Sequence, residues 1–165
     1  MTLIHRLGLL LMAACFSSTI LAQAPSSPAT NPAGYWQTYD EVTNKPKSIV
    51  QVWVNPDRSV SGRIKYVYPQ EGHDKREVCK ICPGNRRNQP YFGMLILEKL
   101  RPVPNDPKAW QHGEILDPEN GKVYSCQMHL SDNGTKMHMR GYVGISMFGR
   151  TQTWTKTTQS AIPKD

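Results

Sequence analysis

The sequence is poor in the short motifs that mark enzymes. It has no serine in a nucleophile elbow, no histidine and glutamate at zinc-protease spacing, and no glycine-rich loop between a strand and a helix. Asp117 and Glu119 flank Pro118 in a pattern typical of a turn, because an Asp side chain before proline bonds to nearby backbone. We therefore expect a protein that is not an enzyme and that uses no cofactor.

Helical periodicity and long apolar runs are also scarce. From Gly34 onward only residues 94–100 resemble a helical stripe, and their Leu95-Ile96-Leu97 is better explained as a buried strand. Of the 165 residues, 38% are hydrophobic and 20% are charged, which argues against a disordered chain, a collagen or a polytopic membrane protein. The length predicts a single domain.

Residues 1–22 have the pattern of a signal peptide. Arg6 precedes an apolar run over residues 7–16, which is shorter than the about 20 residues of a membrane span. Cleavage is predicted after Ala22, because the alternative bond after Ala24 is followed directly by proline. Cys15 is a poor lipidation site, since the apolar run continues beyond it. The sequence thus predicts a periplasmic or secreted protein without a membrane span.

The rest of the chain divides by composition. Residues 23–33 are a flexible tether rich in Pro, Ser and Ala, with too few apolar side chains to offset the entropy of ordering. Residues 157–165 form a polar tail. The folded domain is therefore expected within residues 34–156, which suffice for one closed core.

Alternation of apolar and polar side chains with a period of two dominates this domain, as it does in half-buried strands. Turn sequences such as Asp132-Asn133-Gly134 separate the alternating segments. Closure into a barrel would remove exposed edges, so the pattern favours an all-β, single antiparallel up-and-down β-barrel, with a β-sandwich as the alternative. Eight strands are predicted, at residues 34–39, 47–54, 58–68, 91–99, 108–116, 122–130, 135–143 and 149–155.

Several ordered segments carry a resemblance to a known family. The domain opens with Gly34-Tyr35-Trp36-Gln37-Thr38, and its most specific stretch runs over residues 140–155, RGYVGISMFGRTQTWT. The sequence resembles the bacterial domain of unknown function 2147 family across residues 34–156. The resemblance implies a small exported bacterial protein with a lipocalin-like barrel, and it implies no activity.

The opening Gly34-x-Trp36 also resembles the first strand of lipocalins. In that family the indole packs under an arginine of the last strand and closes the floor of the barrel. Arg150 is the matching residue here. The resemblance therefore implies a cation–π contact between Trp36 and Arg150.

Three cysteines follow the signal peptide. Cys79 and Cys82 lie three residues apart in a turn-rich segment, and in an exported chain this spacing favours a disulfide. Redox exchange and half of a metal site are the alternatives, although Pro83-Gly84 argues against the helix that a redox motif needs. Cys126 lies on an apolar strand face and is predicted to be a buried free thiol.

A two-residue turn at Asn133-Gly134 would place His129 opposite His138 and Met128 opposite Met139. The two histidines are then either an exposed pair without a role or a weak metal site, and no metal is predicted. Met128, Met137, Met139 and Tyr124 share the apolar face. These side chains either fill the core or line a cavity for an apolar ligand.

The net charge is +7, and basic charge is concentrated in one loop over residues 69–90, where five basic residues fall within thirteen positions against Glu77. This basic loop is either a solvated surface or attracts an anionic envelope component. Nucleic acid is not expected, because aromatic side chains do not accompany the basic cluster. The leading hypothesis is a binder of a small apolar or amphipathic molecule or of an envelope component, and the alternative is an interaction module acting through the loop. Its basic residues are Lys75, Arg76, Lys80, Arg86 and Arg87.

Overall fold

The computed structural model describes residues 30–69, 78–131 and 133–164. The predicted signal peptide, residues 23–29 of the tether, and Lys75 and Arg76 of the basic loop lie outside these residues. The strands are β1 (Gly34–Tyr39), β2 (Pro46–Val54), β3 (Val60–Val67), β4 (Leu95–Val103), β5 (Asp106–Asp117), β6 (Lys122–Leu130), β7 (Lys136–Tyr142) and β8 (Arg150–Thr157).

The eight strands form one closed antiparallel barrel in sequence order. Closure occurs between β1 and β8, where Trp36 pairs with Lys156. Closure leaves no strand edge open for pairing with another chain. The predicted barrel is therefore confirmed, and the alternative β-sandwich is wrong. Among the described residues there is no helix with the length and apolar character needed to cross a membrane.

The barrel has two different ends. The closed end is the one at which β1 begins, and its connections are the short segments 55–59, 104–105 and 131–135. The open end carries the connections 40–45, 68–94, 118–121 and 143–149. The three longest connections, 40–45, 68–94 and 143–149, therefore lie at one end of the molecule.

Large side chains fill the interior at the closed end. Trp36, Leu100, Leu130 and Met137 are completely buried there. The packing requires a glycine at position 113, because a Cβ atom on Gly113 would lie only 2.4 Å from the Leu100 side chain. The core is therefore close-packed and leaves no room for even one added methyl group.

Cys126 lies on β6 next to this core and is a buried free thiol, as predicted. Burial away from water raises its pKa from 9.0 to about 12, and the nearby Glu114 carboxylate adds to the effect. The thiol therefore stays protonated and unreactive at neutral pH.

The strand bounds differ from the prediction mainly at β4, which runs over Leu95–Val103 instead of residues 91–99. The preceding residues form a turn in which the Met94 amide donates to the Tyr91 carbonyl at 3.1 Å. Pro102 is tolerated inside β4 because the pairing of β4 with β3 already ends at Leu100. β8 likewise continues to Thr157, into the predicted polar tail.

The hairpin of β6 and β7 has the predicted register. His129 lies opposite His138, and Met128 lies opposite Met139. The two methionines are buried, whereas the His129 side chain is exposed. A register shifted by one residue would have moved the methionines into water, so the apolar face and the turn together determine the pairing.

Candidate functional site

The open end holds a cavity of about 1050 Å³. Its floor is apolar and includes Trp154, Met139, Leu116, Ile64 and Ile96, all of them buried. The filled closed end lies beneath this floor, so the cavity reaches only part of the way through the barrel. Binding sites for small molecules commonly measure about 300–1,000 Å³ and are lined mostly by apolar groups.

Polar side chains replace apolar ones toward the mouth on β1 and β2. Thr38 follows Trp36 on the inward face of β1, and Ser48 precedes Val50 on the inward face of β2. The Thr38 and Ser48 hydroxyl oxygens lie 2.8 Å apart, and the Ser48 amide donates to Thr38 Oγ1 at 3.1 Å. Both buried hydroxyl groups are therefore satisfied inside the protein and fix this part of the wall.

The inward face of β8 continues this polar wall. Trp154 at the floor is followed toward the mouth by Gln152 and Arg150, and both of these side chains line the cavity. The Trp154 indole donates to Gln152 Oε1 at 3.4 Å, and Gln152 Nε2 donates to Glu41 Oε1 at 2.7 Å. Arg150 Nη1 lies 3.7 Å from Glu41 Oε2. A chain of polar contacts thus runs from the floor to the mouth along one side of the cavity.

A salt bridge joins two sides of the mouth. Lys47 Nζ on β2 lies 2.8 Å from Glu119 Oε2 in the turn between β5 and β6. Two further strands, β3 and β4, separate these elements around the barrel. The Glu119 side chain is half exposed, so the pair stabilises the fold by at most about 1 kcal/mol.

A family model described as an uncharacterized protein conserved in bacteria, DUF2147, matches residues 34–156. These residues run from the beginning of β1 to the penultimate residue of β8 and so include the whole barrel wall except Thr157. The chain belongs to the DUF2147 family. The resemblance seen in the sequence is therefore confirmed.

A solved structure with a similar fold is the protein HP1028 from Helicobacter pylori, described as belonging to the lipocalin family. It is 20% identical, with a TM-score of 0.65, and the match covers 79% of this chain and 85% of that one. At this identity the likeness concerns the fold, so this DUF2147 protein has a lipocalin-like barrel. No protein in a search of curated proteins matches the sequence.

The disulfide predicted in this DUF2147 protein is present. Cys79 and Cys82 are bonded, with 2.01 Å between the sulfur atoms, and both residues are buried. Cys79 Sγ lies 3.3 Å from the Pro118 carbonyl oxygen. A Cβ atom on Gly121 would lie 2.3 Å from the Ile81 carbonyl oxygen. Residues 79–82, the disulfide segment, therefore pack closely against the β5–β6 turn, beside the mouth of the cavity.

The described part of the basic loop is only partly free. Arg86 Nη1 lies 3.2 Å from Glu98 Oε2 and donates to the Leu95 carbonyl at 3.4 Å. Lys80 and Arg87 are exposed, and Arg87 Nε donates to the Lys80 carbonyl at 3.2 Å. Arg86 is thus bound to the barrel wall, whereas Lys80 and Arg87 remain at the surface.

The predicted contact between Trp36 and Arg150 is also wrong. Arg150 pairs with Gly141 at the open end, and its side chain is 88% exposed. Lys156 lies six positions further along β8, about 20 Å away at the strand repeat. Its ammonium group is 5.5 Å from the centre of the Trp36 ring. The Trp36 indole donates to the Pro32 carbonyl at 2.9 Å. Lys156 is therefore the cation that contacts Trp36 at the closed end, and the barrel packing includes Pro32 from the predicted tether.

The four side chains predicted to line a cavity divide into two groups. Met139 and Tyr124 line the cavity. Met128 and Met137 are buried in the core cluster instead. The inward face that they share is thus core toward the closed end and cavity wall toward the open end.

The histidine pair lies on the outer face of the barrel. His129 Nε2 is 3.8 Å from Asp106 Oδ2, and His138 Nδ1 is 3.1 Å from Thr153 Oγ1. Across residues 30–69, 78–131 and 133–164, no three His, Cys, Asp or Glu side chains are grouped to hold a metal ion.

Sequence reasoning missed the polar wall of the cavity. Gln152 and Arg150 alternate with Trp154 and so share its inward face, and Thr38 shares the face of Trp36. The available signal was that each of these positions carries a polar side chain, although the period of two assigns it to the core. Several neighbouring strands with the same change would have indicated a cavity mouth.

Proposed function

We propose that the protein binds a small amphipathic molecule in the barrel, with its apolar part on the floor and its polar part at the mouth. The carrying observation is a cavity of about 1050 Å³ with a buried apolar floor and a polar wall. Apolar burial supplies affinity, and a few placed polar groups orient the molecule. The family and the lipocalin-like fold are consistent with such a role.

The polar wall favours a ligand that both donates and accepts hydrogen bonds. Gln152 and Glu41 already share one hydrogen bond, but each retains further capacity, since an amide has two donors and a carboxylate accepts several bonds. The Arg150 guanidinium at the mouth suits an oxygen-rich head group. We propose binding without chemical conversion, because the sequence lacks the motifs of an enzyme.

A cavity-filling variant tests this proposal. Gly141 lines the cavity on β7, and a Cβ atom there would meet its nearest neighbours at 3.7 Å, an ordinary contact distance. Gly141→Phe should therefore fold and place its ring in the cavity. We expect saturable binding of the fluorescent amphipathic probe N-phenyl-1-naphthylamine by the protein, and binding at least about tenfold weaker in Gly141→Phe.

The matched control is Ser125→Phe, which adds the same ring at an exposed position on β6. It should bind the probe as the unmodified protein does. Equal probe affinity in both variants, with both shown to be folded by circular dichroism, would contradict binding in the cavity. Native mass spectrometry of protein purified from its own host would then identify any retained molecule.

We also propose that the protein acts in the periplasm or after secretion. The support is the pattern of residues 1–22, with Arg6 before a short apolar run. N-terminal sequencing of the protein from its host should begin at Gln23. A first residue of Met1 in the periplasmic or secreted fraction would contradict processing, and recovery only in the cytoplasm would contradict export.

A second candidate function, an interaction module acting through the loop, is favoured by one observation. The disulfide segment is seated on the barrel and leaves Lys80 and Arg87 exposed. Such a rigid basic surface suits an anionic envelope component. Loss of salt-dependent retention on an anionic resin in Lys80→Gln with Arg87→Gln, compared with Lys136→Gln at the closed end, would support it.

A further inference from the structure

Exposed apolar side chains are concentrated at the open end. Among the described residues nine large hydrophobic side chains are exposed, and eight of them belong to this end, Val54 being the exception. Four of them occur in the single connection between β7 and β8, with 57–79% of their surface exposed. They are Val143, Ile145, Met147 and Phe148. Exposed patches of this kind mark contact with a protein or a membrane.

The β7–β8 turn is held in its shape by one arginine. Arg140 Nε donates to the Ser146 carbonyl at 2.8 Å, and Nη2 donates to the Met147 carbonyl at 3.0 Å. Its remaining nitrogen donates to Thr151 Oγ1 at 2.9 Å. A Cβ atom on Gly149 would lie 2.6 Å from a carbonyl oxygen of β7, so the turn approaches the strand as closely as glycine permits. The apolar side chains are thus displayed by a preorganised turn.

A second turn displays an apolar side chain at the same rim. Val42, between β1 and β2, is 92% exposed. Asp40 Oδ1 accepts hydrogen bonds from the Val42 amide at 3.1 Å and the Thr43 amide at 2.7 Å, which fixes this turn as well. β1 is paired with β8, and Val42, Val143 and Phe148 all line the mouth. We call Val42 together with residues 143–148 the apolar rim.

Two carboxylates and one cation lie beside the apolar rim. The Asp40 carboxylate is bonded to its own turn, and those hydrogen bonds, first of all the one from Thr43, lower its pKa. Glu41 accepts a hydrogen bond from Gln152. Arg150 at the base of the rim has an 88% exposed side chain, held only loosely at 3.7 Å from Glu41. Its exposed guanidinium is the group beside the rim that suits a phosphate oxygen.

We propose that the apolar rim inserts into the interfacial layer of a phospholipid bilayer, with Arg150 at the level of the lipid phosphates. The mouth of the cavity then faces the lipid surface. Separate apolar side chains on two protruding turns suit a soft lipid layer, whereas a protein interface needs about 800 Å² of matched surface on each partner. Arg150 and Phe148 belong to this surface and also line the cavity, whereas Gly141 lines the cavity and is not part of the rim, so a variant at Gly141 separates the two proposals.

Flotation with vesicles of phosphatidylcholine and phosphatidylglycerol tests the proposal. The protein should float with the vesicles, and the Met147→Ser, Phe148→Ser double variant should partition at least about tenfold less, because two apolar side chains lose their burial. Val54→Ser removes an exposed apolar side chain at the closed end and should bind as the unmodified protein does. Gly141→Phe, which fills the cavity, should also still bind.

Insertion itself is tested with a reporter at the rim. Phe148→Trp should be quenched by brominated phospholipids more strongly than Val54→Trp, since both variants keep the same four native tryptophans. Failure of the unmodified protein to float would overturn the proposal, as would equal flotation of the double variant or equal quenching of the two reporters. Absence of saturable probe binding by the unmodified protein, with flotation retained, would count against the proposed function alone.

Discussion

The two ends of the barrel are built on the same strands and yet differ in almost every respect. At the closed end the connections are short, Trp36 and Leu130 are completely buried, and Val54 is the only large apolar side chain exposed among the described residues. At the open end the connections are long, a cavity of about 1050 Å³ replaces the core, and apolar side chains face the solvent.

Because of this difference, the residues that stabilise the fold lie toward the closed end of the barrel, and those available for binding lie toward the open end. Side chains that are fully buried in close-packed surroundings contribute most to the free energy of folding, and they lie toward the closed end. Side chains that line an opening are free to vary in chemistry, because their loss leaves the core intact. Substitutions at the two ends should therefore have opposite effects on stability and binding.

The largest effect on stability is expected at the closed end. Trp36→Ala should lower the free energy of unfolding by about 3–5 kcal/mol, because a completely buried indole, its hydrogen bond to Pro32 and its contact with Lys156 are lost. Urea denaturation followed by far-ultraviolet circular dichroism measures this change. A loss below about 1 kcal/mol would contradict the assignment of stability to the closed end.

A smaller effect is expected for the disulfide at the open end. Replacing Cys79 and Cys82 together by serine should lower the free energy of unfolding by about 2 kcal/mol, the entropic value for so short a loop. Thermal denaturation with and without a reductant measures it. The reductant should lower the Tm of the unmodified protein and leave that of the double variant unchanged. A Tm that the reductant leaves unchanged in both proteins would show that the disulfide does not stabilise the fold.

The dependence of stability on pH tests the burial of Cys126, which lies next to the core of the closed end. The Cys126 thiol has a pKa of about 12 in the folded protein against an ordinary value of 9.0, because it is buried. Above pH 9 the unfolded chain therefore releases this proton first, and stability falls as the pH rises from 9 toward 12. At pH 10 this difference in pKa lowers the free energy of unfolding by about 1.4 kcal/mol. Cys126→Ala should show a shallower decline in denaturation series, and identical slopes would place the thiol in contact with water.

The smallest effect on stability is expected at the apolar rim. Phe148→Ser should change the free energy of unfolding by less than about 0.5 kcal/mol, because 79% of this side chain is already exposed. The same urea series used for Trp36→Ala measures it. A loss comparable with that of Trp36→Ala would remove the distinction between the two ends.

Local patterns predicted most of the fold and little of the site. The alternation in residues 122–130 and 135–143 predicted two strands whose observed bounds differ by at most one residue. The Asn133-Gly134 turn predicted their register. The fourth strand was misplaced, because the turn over Tyr91–Met94 depends on contacts with β3, such as the hydrogen bond from the Gly93 amide to the Ile64 carbonyl.

The cation that contacts Trp36 could not be predicted from local patterns either. Arg150 and Lys156 both lie on the inward face of β8, so the period of two does not distinguish them. The pairing of Trp36 with Lys156 decides which of them reaches the indole. Closure between the first and last strands depends on residues more than a hundred positions apart, and no local pattern reports it.

The sequence by itself determined most of the strands and their facing, and its cysteine spacing favoured the disulfide, because these depend on neighbours a few residues away. Only the tertiary structure decided that the interior is filled at one end and hollow at the other. A side chain on the inward face becomes core or cavity wall according to what lies across the barrel. Met137 and Met139 illustrate this: two residues apart on one strand, the first is core and the second is the floor of the cavity.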